Sequence, residues 1–279
     1  AGNSAAGVGP SATFTVDNKA PTLSIGAPSS SETAGGPVSY PVTYTDADLV
    51  DLTSDDVTLN KTGTAAGTVT VSNGDTNTPT VTIDSIGGDG TLGISIATDT
   101  ASDVAGNIAG AAGPSETFSV DNGRPGMVIG LPSVLTTSLG PVEYTVTYSG
   151  ADVLSLSPGD ITLNKTGDAT ATVLVSGTGS MSRTVTLSGI SGDGALSISI
   201  AAGTAADSVG NLAGSAGPSA TVSVDNTGPV VFIGPPSVET TDTGPVQFSL
   251  TYANPTLIGL GVGDITLNKT GTADAVVLI

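Results

Sequence analysis

The sequence has no cysteine, no histidine and no tryptophan, and its only aromatic residues are four Phe and five Tyr. Without His or Cys there is no Ser-His-Asp or Cys-His nucleophile, and no zinc, haem or iron–sulfur centre of the usual ligand types. Without Cys no disulfide can brace the fold, so packing alone must hold it. Basic residues are scarce too: six Lys and Arg against 25 Asp and Glu leave a formal net charge of −19. Such a surface repels nucleic-acid phosphates and anionic lipid, and attracts divalent cations. Charged residues make up 11% of the chain, against about 25% in an ordinary globular domain. Thr, Ser, Asn and Gly must therefore supply the polar surface, a balance that suits exposure outside the cell. No apolar run approaches the ~18 residues of a membrane span. The opening AGNSAAGVGP has neither the basic start nor the apolar stretch of a signal peptide and reads as mid-chain sequence.

What is present is a repeat. The triplet Val-Asp-Asn ends at Asn18, Asn122 and Asn226, a period of 104 residues without slippage. Leu-Asn-Lys-Thr-Gly starts at Leu59, Leu163 and Leu267, and Asn3, Asn107 and Asn211 close Ala-Gly-Asn or Val-Gly-Asn triplets at the same spacing. A register kept over that length means tandem copies of one self-sufficient domain, longer than the 20–50 residues of a solenoid unit. Dividing after each triplet gives the tail of one copy (1–18), two whole copies (19–122 and 123–226) and the front of another (227–279). In register, the front ends 33 residues, equivalent to 176–208, short of the point where the tail resumes. The chain is therefore expected to be a window of a longer repeating protein or a subunit completed by its neighbour.

Within 123–226, short Val, Ile, Leu, Thr and Tyr runs alternate with Gly, Pro, Ser and Asp clusters, which predicts strands and turns. Strands are expected near 126–132, 141–149, 160–166, 169–176, 183–190, 195–202 and 219–225. Val142, Tyr144, Val146 and Tyr148 share one face, as do Leu196, Ile198 and Ile200, the period of two of a half-buried sheet. Seven such strands in about 100 residues describe an all-β class: Ig-like seven-strand sandwiches in an extended row.

The stretch SIATDTASDVAGNIAGAAGPSETFSVDN, repeated in tandem before a proline two residues further on, resembles the bacterial Ig-like repeats of large secreted and cell-surface proteins, notably giant adhesins. The resemblance spans the whole chain and implies an exported, non-catalytic stalk whose joints bind calcium. The linkers are also similar to cadherin joints: Asp17-Asn18 precedes Pro21, Asp121-Asn122 precedes Pro125 and Asp225-Asn226 precedes Pro229.

Strand parity says which loops could meet a linker. With alternating directions, the loops after strands 2 and 6 of the following domain and after strand 5 of the preceding one flank it. The candidate ligands are therefore Asp17, Asn18, Asp48, Asp89, Asp103, Asn107, Asp121, Asn122, Asp152, Asp193, Asp207, Asn211, Asp225 and Asn226. Calcium takes six to eight oxygens from carboxylates, amide carbonyls and water, and loop Asp and Asn suit it. The same residues beside Gly also read as plain turn formers, and recurrence does not separate the two. Asp48 and Asp152 become Thr256 in the last copy, while Asp46 becomes Gly150 and Asn254. Asp56, Asp160 and Asp264 recur just before a strand, where they would shape the loop entry.

Lys61, Lys165 and Lys269 recur in phase with inward positions. A buried lysine would suggest a Lys–Asn isopeptide crosslink, but no Glu recurs to catalyse it, and a lysine snorkelling at a strand end is the competing reading. Asn-Lys-Thr, an N-glycosylation pattern, recurs at the same place and reads as fortuitous. An enzyme reading is disfavoured, since a glycosidase needs two carboxylates at a set separation in a cleft, one with a raised pKa. The expected function is a structural stalk; the alternative is a subunit of a self-assembling extracellular filament or sheath. Expected partners are neighbouring repeats or further copies of the chain, with neither nucleic acid nor a membrane span.

Overall fold

A computed structural model describes residues 1–179 and 181–279. The first sandwich contains β1 (Thr22–Ile25), β2 (Glu32–Thr33), β3 (Val38–Thr45), β4 (Leu49–Val50), β5 (Val57–Lys61), β6 (Ala66–Ser72), β7 (Thr80–Gly87), β8 (Gly90–Ile96), β9 (Ala101–Ser102) and β10 (Phe118–Val120). The second repeats them as β11 (Gly126–Pro132), β12 (Thr136–Thr137), β13 (Val142–Ser149), β14 (Val153–Leu154), β15 (Ile161–Gly167), β16 (Thr170–Ser176), β17 (Ser182–Ser191), β18 (Gly194–Ile200), β19 (Ala205–Ala206) and β20 (Val222–Val224). Beyond it, β21 (Val230–Pro236) and β22 (Phe248–Ala253) form an antiparallel pair.

Each sandwich has two four-stranded sheets, ordered β1-β3-β7-β6 and β2-β10-β8-β5 in the first, β11-β13-β17-β16 and β12-β20-β18-β15 in the second. The opening stretch is shared between the sheets: β1 and β11 pair antiparallel in one, while β2 and β12 run parallel to the last strand in the other. This is the strand order of an Ig-like sandwich, with β2 or β12 added beside the last strand of the second sheet.

Alternation along the strands builds the core. In β13, Val142, Tyr144, Val146 and Tyr148 are buried while Glu143, Thr145, Thr147 and Ser149 are exposed. They meet Leu196, Ile198 and Ile200 from the facing sheet in one buried cluster, and an equivalent cluster forms in the first sandwich around Tyr40, Tyr44, Ile83, Leu92 and Ile94. Buried tyrosine hydroxyls need partners, and both copies supply them. Tyr40 donates to the Glu116 carbonyl at 2.9 Å and Tyr144 to that of Ala220 at 3.0 Å. Tyr44 and Tyr148 pair with the hydroxyls of Thr100 and Thr204 at 2.7 and 3.0 Å.

A small ladder in each sandwich matters more for the joints than for the core. β4 pairs with β9 and β14 with β19, at two residues each. These pairings tie the loop after β3 to the loop before β10, and the loop after β13 to the loop before β20. Asp48 N–H donates to the Ser102 carbonyl and Asp152 N–H to that of Ala206, both at 2.9 Å.

Of the two lysine readings, exposure favours the snorkelling one. Lys61 and Lys165 keep inward parity, opposite the buried Leu92 and Leu196, but they sit at the open end of the sheet and are exposed. That is the snorkelling geometry, not the burial a crosslink needs. The neighbouring Asn60 and Asn164 spend their side-chain amides on Ser95 and Ser199, at 2.8 and 2.9 Å.

Candidate functional site: the joints

The Asp121-Asn122 linker is gripped from both sides, and the residues that grip it recur on the one side seen at each of the other two linkers. On the downstream side, Asn107 Nδ2 donates to the Asp17 carbonyl at 3.1 Å, and Asn211 Nδ2 to the Asp121 carbonyl at 2.9 Å. On the upstream side, the Asn122 backbone N–H donates to Asp89 Oδ1 at 2.7 Å, and its side-chain amide to the Gly88 carbonyl at 2.8 Å. Asn226 makes the same two bonds, to Asp193 and the Gly192 carbonyl. The linker aspartates turn back on the chain: Asp17, Asp121 and Asp225 accept from the N–H of Lys19, Gly123 and Thr227 at 2.8–2.9 Å.

The local sequence explains how the gripping residues are presented. Asp103 and Asp207 lie in Asp-x-x-Gly-Asn turns, where the carboxylate accepts from the backbone N–H of Asn107 or Asn211 at 2.9 and 2.8 Å. Each also accepts from the side-chain amide of the same asparagine at 2.8 Å. The asparagine is thereby aimed at the linker carbonyl. Asp89 and Asp193 sit between glycines that no other residue could replace. Gly90 has φ +145° and Gly194 φ +146°, and a Cβ there would lie 2.1 and 2.0 Å from the carbonyls of Thr62 and Thr166.

These contacts hold the carboxylates in their charged form. The Asn107 side-chain amide, with nearby backbone N–H groups, holds Asp103 below the ordinary Asp value. At Asp207 burial pushes upward, but the Asn211 side chain and three backbone N–H groups outweigh it. The Asn226 N–H and the Thr227 hydroxyl lower Asp193. Asp160 is lowered in the same way by Ser157; it and Asp56 cap short 3₁₀ turns, accepting from Ser157 and Thr53 at 2.7–2.9 Å. Asp264 accepts from the Gly261 N–H at 2.9 Å, so all three of these acids are occupied with the loop entry.

The expected neighbours Asp17, Asp48 and Asp103 line one open depression of about 710 Å³ together with Asp46 and Lys19. Asp48 Oδ2 accepts from the Val104 N–H at 2.9 Å. Asp152, its counterpart, makes no side-chain hydrogen bond among the described residues. Lys19 Nζ reaches Asp46 at 2.6 Å and is raised above its ordinary value by that contact. Both partners are well exposed, so the pair adds little to stability. At the next joint, Arg124 lines a depression of about 400 Å³ with Asn211. Sequence reasoning missed Lys19 and Arg124, because neither recurs.

As a calcium cage the donor set is incomplete. Among the described residues, no three acidic side chains converge closely enough to hold one ion. The carboxylates of Asp89, Asp103, Asp193 and Asp207 are already committed to N–H and O–H donors. The arrangement fits a hydrogen-bonded clasp.

No protein-family model and no curated protein matches the chain. Among solved structures it is similar to the adhesin InvE of Yersinia pseudotuberculosis, at 16% identity and TM-score 0.24, over 73% of this chain and 58% of that one. The chain thus spans little more than half the length of that adhesin. It is also similar to a chimeric titin Z1Z2 carrying an exogenous peptide from decorin, at 15% identity and TM-score 0.22, over 75% of this chain and 99% of the other. The Ig-like fold rests on the strand order and core above. No helix among the described residues is long and apolar enough to cross a membrane.

Proposed function

We propose that the chain is a structural segment of an extracellular, adhesin-like repeat protein: a stalk in which Ig-like sandwiches follow one another at clasped joints and which carries out no catalysis. The observation that supports this reading is the two-sided grip on the linker. Asn211 holds the Asp121 carbonyl from one sandwich while Asp89 holds the Asn122 N–H from the other. Such contacts cost a soluble monomer nothing to omit, yet they recur with the repeat. They remove linker freedom, which is what a spacer requires.

Calcium at the joints is a separable part of the proposal. It is favoured by the net charge of −19 and by Asp17 and Asp48, which line one depression and each keep one carboxylate oxygen without a hydrogen bond among the described residues. A cation binding the folded joint would stabilise it by mass action. Small-angle scattering in excess calcium and in chelator tests both parts. A stalk gives an elongated particle in both solutions, and a compact or freely hinged particle refutes it. Unchanged length and melting temperature between the two solutions removes calcium and leaves the clasp.

A further inference from the structure

The two sandwiches share a fold but not an edge. In the second, the opening stretch exposes Val128, Leu131, Val134, Leu135 and Leu139, with Leu131 78% and Leu139 72% accessible. The equivalent positions of the first are Ser24, Ala27, Ser30, Ser31 and Gly35. The fold therefore does not require these apolar side chains. They lie on and beside β11 and β12, each the terminal strand of its sheet. Terminal strands present a row of unpaired backbone groups, and proteins blunt them with charge, proline or a bulge; β11 has a register shift before Pro132, which leaves Gly126–Ile129 as its regular stretch. The first sandwich uses charge, with Glu32 in β2; at that place the second has Thr136. From Pro125 to Val142 the second sandwich has no charged residue.

We infer that this edge is a self-association surface, on which a second copy of the chain docks its own β11 edge antiparallel about a two-fold axis. Three observations select that occupant. In a chain of net charge −19, an uncharged edge is where two copies approach without repulsion. An isologous contact needs only the same patch twice, and a free strand pairs antiparallel with itself through its backbone. Finally, the ends are complementary. Ser133 N–H donates to the Glu143 carbonyl at 2.9 Å, so Glu143 lies at the far end of the edge from Arg124. Antiparallel pairing brings Arg124 of each copy to the Glu143 end of the other. Both residues are exposed, and neither forms an ion pair among the described residues. Both are also peculiar to this sandwich: the first has Ala20 and Ser39 instead. The contact is independent of the joint chemistry and of the stalk reading.

Sedimentation velocity of the full chain over a concentration series tests the proposal. The wild type is expected to dimerise. Leu135→Asp should weaken the dimer by at least about tenfold, as should Arg124→Glu through charge repulsion, whereas Ser31→Asp in the first sandwich should change nothing. Combining Arg124→Glu with Glu143→Arg should restore association, an outcome a general loss of structure cannot produce. Circular dichroism checks that each variant is folded. A wild type that stays monomeric, a dimer indifferent to Leu135→Asp, or a charge swap that fails to rescue overturns the proposal.

Discussion

Replacing Asn211 with alanine should unlatch one joint and leave its sandwich standing. The Asn211 side-chain amide makes two bonds: to the Asp121 carbonyl at 2.9 Å and to Asp207 Oδ2 at 2.8 Å. A neutral bond of this kind is worth ~1 kcal/mol and one to a carboxylate ~1.5–3 kcal/mol. Only the first crosses to the linker, while the second lies within the sandwich and serves to aim the amide, so the joint loses about 1 kcal/mol, or roughly fivefold in its opening equilibrium. The core is untouched, since none of its buried side chains contacts Asn211 through that amide. The two effects separate in hydrogen exchange. The N–H groups of Asn122 and Gly123, protected by Asp89 and Asp121, should exchange up to about fivefold faster, while amides of β13 and β18 keep their rates. Asp89→Ser, cutting the grip from the other side, should do the same. If linker exchange and scattering are both unchanged in Asn211→Ala, the clasp has no mechanical role and the stalk reading loses its main support.

Two further outcomes follow from the same structure. Asp103, Asp193 and Asp207 are held below the ordinary 3.8, so the stability they add is fully present above about pH 5 and is lost as the pH falls through their lowered folded values; the protection factors of the linker amides, with the intrinsic pH dependence of exchange divided out, should be flat from pH 7 to 5 and fall below. A joint that loosens between pH 7 and 5 would refute this. In the core, Ile198 is fully buried, and Ile198→Ala should cost ~2–5 kcal/mol in denaturant unfolding, with reducing agent without effect on either protein; a cost under ~1 kcal/mol would mean that the second core is loosely packed.

The longer strands of the second sandwich were legible because their alternation is strong and their turns are marked. Val142 to Tyr148 reads as a sheet at sight, and β13 covers it. The two-residue ladders β4–β9 and β14–β19 were not legible. A pair such as Val153–Leu154 is too short to show a period, and its pairing is decided by the loops it joins. Those ladders nonetheless set Asp48 beside the Asp103 turn. Of the loops that strand parity placed around a linker, those carrying Asn211 and Asp89 bond to the one at Asp121-Asn122. Parity could not tell an oxygen offered to a cation from one already taken by an N–H, because that depends on ångström-scale placement. In the last copy, β21 spans the positions of β11, and β22 those of β13 less its first two residues.

Recurrence alone assigns no role, and the structure shows why. Asp56, Asp89 and Asp103 all repeat at 104 residues, yet the first closes a 3₁₀ turn within its own domain, the second reaches the chain of the next joint, and the third orients an asparagine that does the reaching. Each is a turn residue. Only the latter two are also tied to a linker, one directly and one through Asn107. The features that do not repeat carry complementary information. Lys19 and Asp46 form an ion pair at the first joint and are replaced together by Gly123 and Gly150 at the second. Arg124, Glu143 and the five exposed apolar residues of the second edge are likewise absent together from the first. A pair or group lost as a unit marks an interaction rather than a fold requirement, since the fold is the same without it. By that criterion the period encodes the sandwich and its clasp, and the departures from it encode what each copy meets.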